Sequence, residues 1–141
     1  MVDDAKPEDE PPYLRLAELT KSGEEDKEDG VISTSVGNGA VRANMRTRVS
    51  NLARIARVDW DKKHFRSLSI PNCSGIFELK WRAEGKQFRA AGYDHPEGYF
   101  VMVLLFTHKG NVYNPPGWKE IIKKRREEVA SGNWKIIEFK P

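Results

Sequence analysis

Cationic side chains alternate with apolar ones in the segment GIFELKWRAEGKQFRAAGY, residues 75–93. Lys80 and Arg82 share one side of a predicted strand, and Arg89 lies in the segment that returns after it. Cations on an open sheet face can bind phosphate groups, and a guanidinium can hold two phosphate oxygens at once. His108 follows a third, apolar strand, where an imidazole can act as acid or base near neutral pH. These residue types fit a site that binds a polyanion and transfers a proton beside it.

The charge of the chain is unevenly distributed. Residues 1–30 hold eleven Asp and Glu against four Lys and Arg, a net charge of −7, whereas residues 31–141 hold ten acidic and twenty basic residues, a net charge of +10. An acidic segment attached to a basic domain indicates a polyanionic partner for the domain. The simplest interpretation of the acidic segment is a disordered, solubilising tail. The alternative is that residues 24–29 fold over the basic face as a phosphate mimic.

Signals for disulfides, metals and membranes are weak. Cys73 is the only cysteine, which excludes an intramolecular disulfide and a cysteine-based zinc cluster. His64 and His95 have no metal-site spacing, so we expect neither a metal nor another cofactor. The first residues lack a signal-sequence pattern, and the longest apolar run, residues 99–106, is far shorter than the ~20 residues that span a bilayer. We therefore expect a cytoplasmic protein with no membrane partner.

Two segments carry the periodicity of a helix with one buried face. Apolar residues recur at three- and four-residue spacing over residues 40–58 and again over residues 118–130. Residues 131–133, Ser-Gly-Asn, end the second of these helices. Residues 59–68 are predicted to form a further short helix that stops before Pro71, because proline disfavours helix in the residue before it.

Strand patterns occupy the middle of the chain. Residues 76–82 alternate with a period of two, residues 83–85 fit a hairpin loop, and residues 86–92 fit the return strand. Residues 99–107 are apolar on both faces, which predicts a central strand covered on both sides. Residues 134–139 fit a last strand or an extended end. Near the start, residues 13–19 fit either a strand or about two helical turns, and residues 31–39 favour a short strand.

These elements predict an α+β domain. We expect a small antiparallel sheet, a three- to four-stranded meander, packed by an N-terminal helix or helices and by a C-terminal helix. One face of the sheet would be packed and the other open. Residues 1–39 would form an acidic, largely disordered extension, and residues 40–141 the folded domain.

Four segments, in order, resemble the RelE/ParE toxin superfamily of bacterial toxin–antitoxin systems, and most closely its HigB-like, phage-derived branch. GIFELKWR (residues 75–82) is similar to a strand of the type G-hydrophobic-x-E-L-R, and KQFRAAGY (86–93) to the strand after it. FTHKG (106–110) stands where many relatives have F-x-K-K, so that His108 replaces a lysine. YNPPGWKEIIKKRREEV (113–129) resembles the proline-led, basic terminal helix. The similarity covers residues 40–129.

The resemblance implies a RelE/ParE-like fold and a toxin that blocks translation. The expected activity is that of an mRNA interferase, a ribosome-associated endoribonuclease that cleaves messenger RNA without a metal. The expected partners are a cognate antitoxin, of the helix-turn-helix class, together with messenger RNA and the ribosome. Two alternatives stay open: a ParE-like inhibitor of DNA gyrase without nuclease activity, and a degenerate toxin fold that only binds. The oligomeric state is not predicted.

Metal-free RNA cleavage begins when a 2′-hydroxyl attacks the adjacent phosphate. The site needs a proton acceptor, a donor to the leaving oxygen and cations for the developing charge. On the resemblance, Arg89 is the cation that contacts the transition state, with Lys80 and Arg82 beside it. The expected catalytic residues are Arg89, His108, Lys80 and Lys109, and the expected RNA-binding residues are Arg82, Tyr113, Lys119 and Lys123.

Each of these residues also has an ordinary structural interpretation. Alternating charge on a strand is most often a solvated face, and Arg82 would then only form a surface ion pair with Glu84 or Glu97, worth about 0–1 kcal/mol. His108 would be a loop histidine, and the basic terminal helix would have a hydrated side. The tryptophans on apolar faces are interpreted as packing residues rather than as platforms for bases: Trp60, Trp81 and Trp118.

Overall fold

A computed structural model describes residues 15–21, 30–52, 54–55, 59–60 and 65–140. The described part forms one sheet with helices on both faces. None of its helices has the length and apolarity that crossing a bilayer requires. The elements, in chain order, are β1 (Arg15–Lys21), α1 (Val31–Val36), α2 (Ala40–Leu52), β2 (Phe65–Ser67), β3 (Ile76–Ala83), β4 (Lys86–His95), β5 (Tyr99–Lys109), β6 (Val112–Asn114), α3 (Trp118–Ala130) and β7 (Trp134–Glu138).

The sheet has seven strands in the order β2-β3-β4-β5-β1-β7, and β6 pairs with the end of β5. Strands β1 and β5 are parallel, and every other pair is antiparallel. The prediction of a small antiparallel sheet of three or four strands is therefore wrong. Its meander, β3-β4-β5, exists, but β1 and β7 extend the sheet beyond β5 and β2 extends it beyond β3. Strands β1 and β7 join the sheet by pairing with segments that are distant in the chain.

The β3–β4 hairpin follows directly from the sequence. Ala83 pairs with Lys86, so that Glu84 and Gly85 form a two-residue loop. Both loop residues have positive φ, 54° and 73°, the conformation that matches a tight turn to the twist of its strands. Strict alternation along Ile76–Ala83 then sends one set of side chains to each face of the sheet. The predicted hairpin is confirmed, and it fixes where the cationic residues point.

The sheet buries apolar side chains on both faces. On one face α1 and α2 pack over a cluster that includes Leu79, Trp81 and Phe100. On the other face α3 packs over β5 and contributes Ile122 to a cluster around Phe106. The prediction that one face is open holds only for the part of that face that α3 leaves uncovered, toward β3 and β4. Strand β5 is buried along most of its length, as a central strand should be.

Strand β1 lies inside the sheet, between β5 and β7. Its Glu18 is 1% exposed, and the carboxylate accepts hydrogen bonds from the backbone N–H groups of Ile32 and Ser33, both at 2.8 Å, and from the Ser33 hydroxyl at 2.6 Å. These bonds satisfy the otherwise unpaired N–H groups of the first turn of α1. The prediction of a strand within residues 31–39 is thus wrong, because residues 31–36 form a helix whose first turn is capped by Glu18.

A bulge interrupts the pairing of β4 with β5. Ala91 pairs with Leu104 but Gly92 pairs with Met102, which leaves Val103 as the extra residue. Arg125 of α3 donates to the Val103 carbonyl oxygen at 2.6 Å. The half-buried Arg125 therefore satisfies the backbone carbonyl group exposed by the bulge, and this bond ties α3 to the centre of the sheet.

The remaining elements agree with the sequence to different degrees. Helix α3 has the predicted bounds, and residues 134–138 form the last strand, β7. Helix α2 ends at Leu52, before the predicted residue 58. The helix expected over residues 59–68 is wrong where the structure describes it, since residues 65–67 form β2. Phe65 of β2 stacks on Phe77 of the neighbouring strand β3, at 5.4 Å between ring centroids, a cross-strand contact that local periodicity does not show.

Candidate active site

The uncovered part of the α3 face carries the cationic residues predicted from the sequence. Lys80 of β3 is the register partner of Arg89 in β4, and Arg89 is the partner of Phe106 in β5. Residues directly opposite each other on neighbouring strands share a face. Arg82 follows two residues after Lys80 and lies on the same face, exposed. The structure thus brings the three cations together, close to the N-terminal end of α3.

A buried carboxylate lies beneath these cations. Glu78 is 0% exposed, and its two oxygens accept hydrogen bonds from Nη1 of Arg89 at 2.8 and 2.9 Å. Arg66 of β2 donates to the same carboxylate through Nε at 2.7 Å. A buried charge needs such partners, because an unpaired one would lose its hydration without compensation. Glu78 therefore fixes the position of the Arg89 guanidinium from below.

His108 contacts the other side of the same guanidinium. Nη2 of Arg89 lies 2.5 Å from Nε2 of His108. A guanidinium only donates hydrogen bonds, so Nε2 is the acceptor and the ring proton is assigned to Nδ1, which lies 3.3 Å from the Gly110 carbonyl oxygen. His108 is thus a neutral imidazole whose basic nitrogen faces Arg89. The Nε of Arg89 is buried and has no partner among the described residues.

Aromatic rings continue the site toward α3. The His108 ring stacks on Tyr113 of β6 at 5.0 Å between centroids, and Tyr113 stacks on Trp118 at 5.0 Å. Trp118 also stacks on the buried Phe106 at 4.5 Å. The row begins where β5 and β6 pair and ends at the first residue of α3. It holds the imidazole in one orientation, and its partly exposed members border the cationic surface.

A pocket of about 360 Å³ opens above Arg89 and His108. Arg82 and Gln87 form one wall, and Lys109 with the Gly110 turn forms another. Strand alternation sends the Lys109 side chain to the opposite face from His108, yet its position at the strand end lets it line the pocket. Arg82 donates to the Gln87 side-chain oxygen at 3.3 Å, so the ion pair with Glu84 or Glu97 that the structural interpretation predicted is not formed.

The surroundings of Lys80 change its pKa. Partial burial lowers the pKa of Lys80 below its ordinary 10.5, and the positive charges of Arg66 and Arg89 lower it further, while Glu78 opposes the shift. The ammonium therefore gives up its proton more readily than a solvated lysine does. Such a group suits the delivery of a proton to a leaving oxygen.

Two predicted RNA-binding residues lie away from the pocket. Lys119 is exposed on the first turn of α3, with its Nζ 5.4 Å from the Trp118 ring centroid. Lys123 lies one turn further, where it pairs with Glu127 at 3.6 Å. Neither is among the described residues that line the pocket above Arg89 and His108. They extend the positive charge along α3 from the end of the aromatic row.

The sequence reasoning missed two participants, Glu78 and Arg66. Glu78 stood in the alternating pattern with Lys80 and Arg82, but a carboxylate on a strand face is ordinarily solvated, and only the pairing of β2 with β3 shows that it is buried. Arg66 lay in a segment predicted to be a helix. Trp118 was interpreted as packing, which is confirmed by its stacking on Phe106.

The arrangement is chemically suited to a phosphate diester. Arg89 is preoriented by Glu78, and its Nη2 lies at the pocket beside His108. A phosphate oxygen bound by the guanidinium would compete with Nε2 of His108 for Nη2 and so release the imidazole lone pair. Within the described residues, no group of three or more His, Cys, Asp or Glu side chains has the geometry of a metal site.

Comparison of the chain with protein-family models, with curated proteins and with solved structures gave no match. The resemblance to the RelE/ParE superfamily therefore rests on the four local segments alone and stays a prediction.

Proposed function

We propose that this protein is a metal-independent endoribonuclease of the translation-blocking toxin type, acting through the surface around Arg89. The observation that carries the proposal is the contact chain Glu78–Arg89–His108. A buried anion orients a guanidinium, and the guanidinium contacts a neutral imidazole. Cation, base and an adjacent lysine are the groups that cleavage by a 2′-hydroxyl requires. The four segments that resemble the RelE/ParE superfamily, three of which contain Glu78, Arg89 and His108, support the same function.

The proposed reaction proceeds in one displacement at phosphorus. The guanidinium of Arg89 stays bound to Glu78 and receives a phosphate oxygen at Nη2, and Nε2 of His108, released from Nη2, takes the proton of the 2′-hydroxyl. The 2′-oxygen forms a bond to phosphorus while the bond from phosphorus to the 5′-oxygen breaks. Lys80 gives a proton to the departing 5′-oxygen, and the products are a 2′,3′-cyclic phosphate and a 5′-hydroxyl. The ring of Tyr113 is stacked between His108 and Trp118, so its hydroxyl group supplies a hydrogen bond to the neighbouring nucleotide.

Cleavage of labelled single-stranded RNA by the purified protein, with and without ribosomes, tests the proposal. We expect His108→Gln to lower the cleavage rate by roughly 10²–10⁴-fold, the contribution of a general base, with RNA affinity little changed. His95→Gln is the matched control, because His95 lies at the far end of β4. DNA of the same sequence should resist cleavage because it lacks the attacking hydroxyl. Wild-type cleavage by the His108 variant would refute the assignment.

The guanidinium of Arg89 allows a second, independent test. Arg89→Lys keeps the charge beside Glu78 but loses the planar fork that can hold two phosphate oxygens. We expect cleavage to fall by at least about tenfold while the protein stays folded. The in vivo counterpart is growth arrest after induction, with new 5′ ends in transcripts, that the variant relieves. DNA damage with intact transcripts would instead support the gyrase alternative.

One contact favours a second candidate function, RNA binding without cleavage. The lone pair of His108 Nε2 is occupied by Arg89, and a protein that keeps this contact with RNA bound would have no free base. The same assay separates the two functions. Retention of labelled RNA with no product, in the presence and the absence of ribosomes, would identify a binding module.

A further inference from the structure

A second pocket, of about 620 Å³, lies between α2 and β3. Its walls come from Asn44, Thr47 and Arg48 of α2, from Lys80, Trp81 and Arg82 of β3, and from Gln87 of β4. It meets the Arg89 pocket at two shared residues, Arg82 and Gln87. The two pockets are therefore neighbours along the same edge of the β3–β4 hairpin.

Two buried hydrogen-bond donors in this wall lack an acceptor. Trp81 is 2% exposed, and its indole Nε1 has no partner among the described residues; the same is true of the buried Nε of Arg48. Leaving a buried donor unpaired costs about 1–3 kcal/mol. An indole N–H and a guanidinium N–H only donate. The group that satisfies both must therefore be an acceptor.

The charge of the wall specifies the acceptor further. Arg48, Lys80 and Arg82 are cations, and no carboxylate is among the described residues that line the pocket. Strand alternation directs the side chains of Lys80 and Arg82 to the opposite face from Trp81, so Arg48 is the cation on the Trp81 side, and all three attract an anion at the edge between the two faces. Partial burial near Trp81 strengthens the attraction, because less water screens it. An anion with several acceptor oxygens fits both requirements.

We propose that this pocket binds a phosphate group, that of the nucleotide next to the one held at Arg89. The inference rests on the proposed function for the identity of the ligand, but the pocket itself is argued from its own donors and charges. The α2 pocket lies on the sheet face opposite Arg89, so an RNA strand that occupies both pockets passes around the edge of β3 that β2 leaves unpaired beyond Leu79. Arg48 and Trp81 are then binding residues, and they take no part in bond cleavage.

Indole N–H signals provide a direct test. The chain has four tryptophans, so uniform ¹⁵N labelling gives four side-chain signals, and Trp81→Phe identifies the one that belongs to Trp81. Inorganic phosphate, mixed-sequence single-stranded RNA and an acidic peptide are titrated separately. We expect the Trp81 signal to move with RNA and, at higher concentration, with free phosphate, and to stay in place with the peptide. A signal that moves with none of them, or only with the peptide, would overturn the proposal.

Salt dependence of RNA binding provides the second measurement. Removing one phosphate contact should lower the slope of log K against log salt by about 0.7 for a single strand. We expect this change, with a roughly tenfold loss of affinity from one charge-assisted hydrogen bond, for Arg48→Gln. Arg46→Gln removes the same charge from an exposed position of α2 and should leave the slope unchanged. Equal slopes for both variants would refute the site.

The two proposals fail separately. If the Trp81 signal moves with phosphate and Arg48→Gln changes the slope, the pocket is established even when no RNA is cleaved. If RNA is cleaved with an unmoved Trp81 signal, the nuclease stands and the second phosphate site is wrong.

Discussion

Replacing Glu78 by glutamine removes a negative charge from the interior while keeping the size of the side chain. Glu78 is 0% exposed and binds two guanidiniums with very different surroundings. The side chain of Arg66 is 49% exposed and that of Arg89 only 11%. Water can hydrate the charge of Arg66 when the Glu78 carboxylate is lost, but it reaches the charge of Arg89 poorly. The cost of the substitution should therefore fall mainly on Arg89.

The magnitude follows from this difference. Breaking a buried ion pair by removing one partner costs about 3–5 kcal/mol, whereas an exposed pair contributes about 0–1 kcal/mol. The amide oxygen of the substituted side chain would still accept one hydrogen bond, which places Glu78→Gln near the lower bound, about 3 kcal/mol. For a chain of this size, that is a decrease in Tm of roughly 10 °C. Arg66→Gln should cost no more than about 1 kcal/mol.

Urea unfolding near neutral pH measures these differences. Arg89→Gln alone should be about as harmful as Glu78→Gln, and the double variant should be less harmful than either, because a neutral pair replaces a charged one. Glu127→Gln, which removes one member of the exposed pair with Lys123, is the control and should change stability by less than about 0.5 kcal/mol. A Glu78→Gln loss below about 1 kcal/mol, or additive single effects, would refute the reasoning.

Three further substitutions test other parts of the structure. The pKa of Lys80 is lower in the folded protein than its ordinary 10.5. Between the folded pKa and pH 10.5 the unfolded chain therefore binds more protons, and the stability of the wild-type protein rises with pH. In unfolding experiments the stability advantage of Lys80→Met should be largest near neutral pH and shrink as the pH approaches 10.5. Gly92→Ala places a Cβ 2.3 Å from the Val101 carbonyl oxygen, and we expect a loss of several kcal/mol or no folded protein, judged by circular dichroism. Arg125→Met leaves the Val103 carbonyl without its donor and should cost about 1–3 kcal/mol in urea unfolding, whereas an unchanged midpoint would contradict this role.

Local pattern was enough to predict the β3–β4 hairpin and the cations on one of its faces. Alternation along Ile76–Ala83 and the Glu84-Gly85 turn involve neighbours in the chain. The same holds for α3, whose periodicity and Gly132 stop signal are local. Lys80 and Arg89 could therefore be placed together from sequence alone, because a two-residue turn sets the register of the whole hairpin.

Contacts between distant segments account for what the sequence did not predict. Residues 31–36 form a helix because Glu18, in strand β1, accepts hydrogen bonds from the first backbone N–H groups of that helix. Glu78 becomes buried only when β2 pairs with β3. The sheet has seven strands rather than three or four because β1 pairs with β5 in parallel and with β7, and because β2 and β6 pair with β3 and β5. A parallel partner is joined by a long crossover, and no local period specifies it.

The position of β1 between β5 and β7 also governs the order in which the chain can fold. Ala17 and Glu138 are paired although they lie about 120 residues apart. During synthesis β1 emerges before both of its neighbours in the sheet, β5 and β7, which lie about 80 and 115 residues further along the chain. Contacts of such high sequence separation slow folding, toward the millisecond-to-second range. Until β7 arrives, β1 presents an unpaired edge that a chaperone or a second nascent chain can bind.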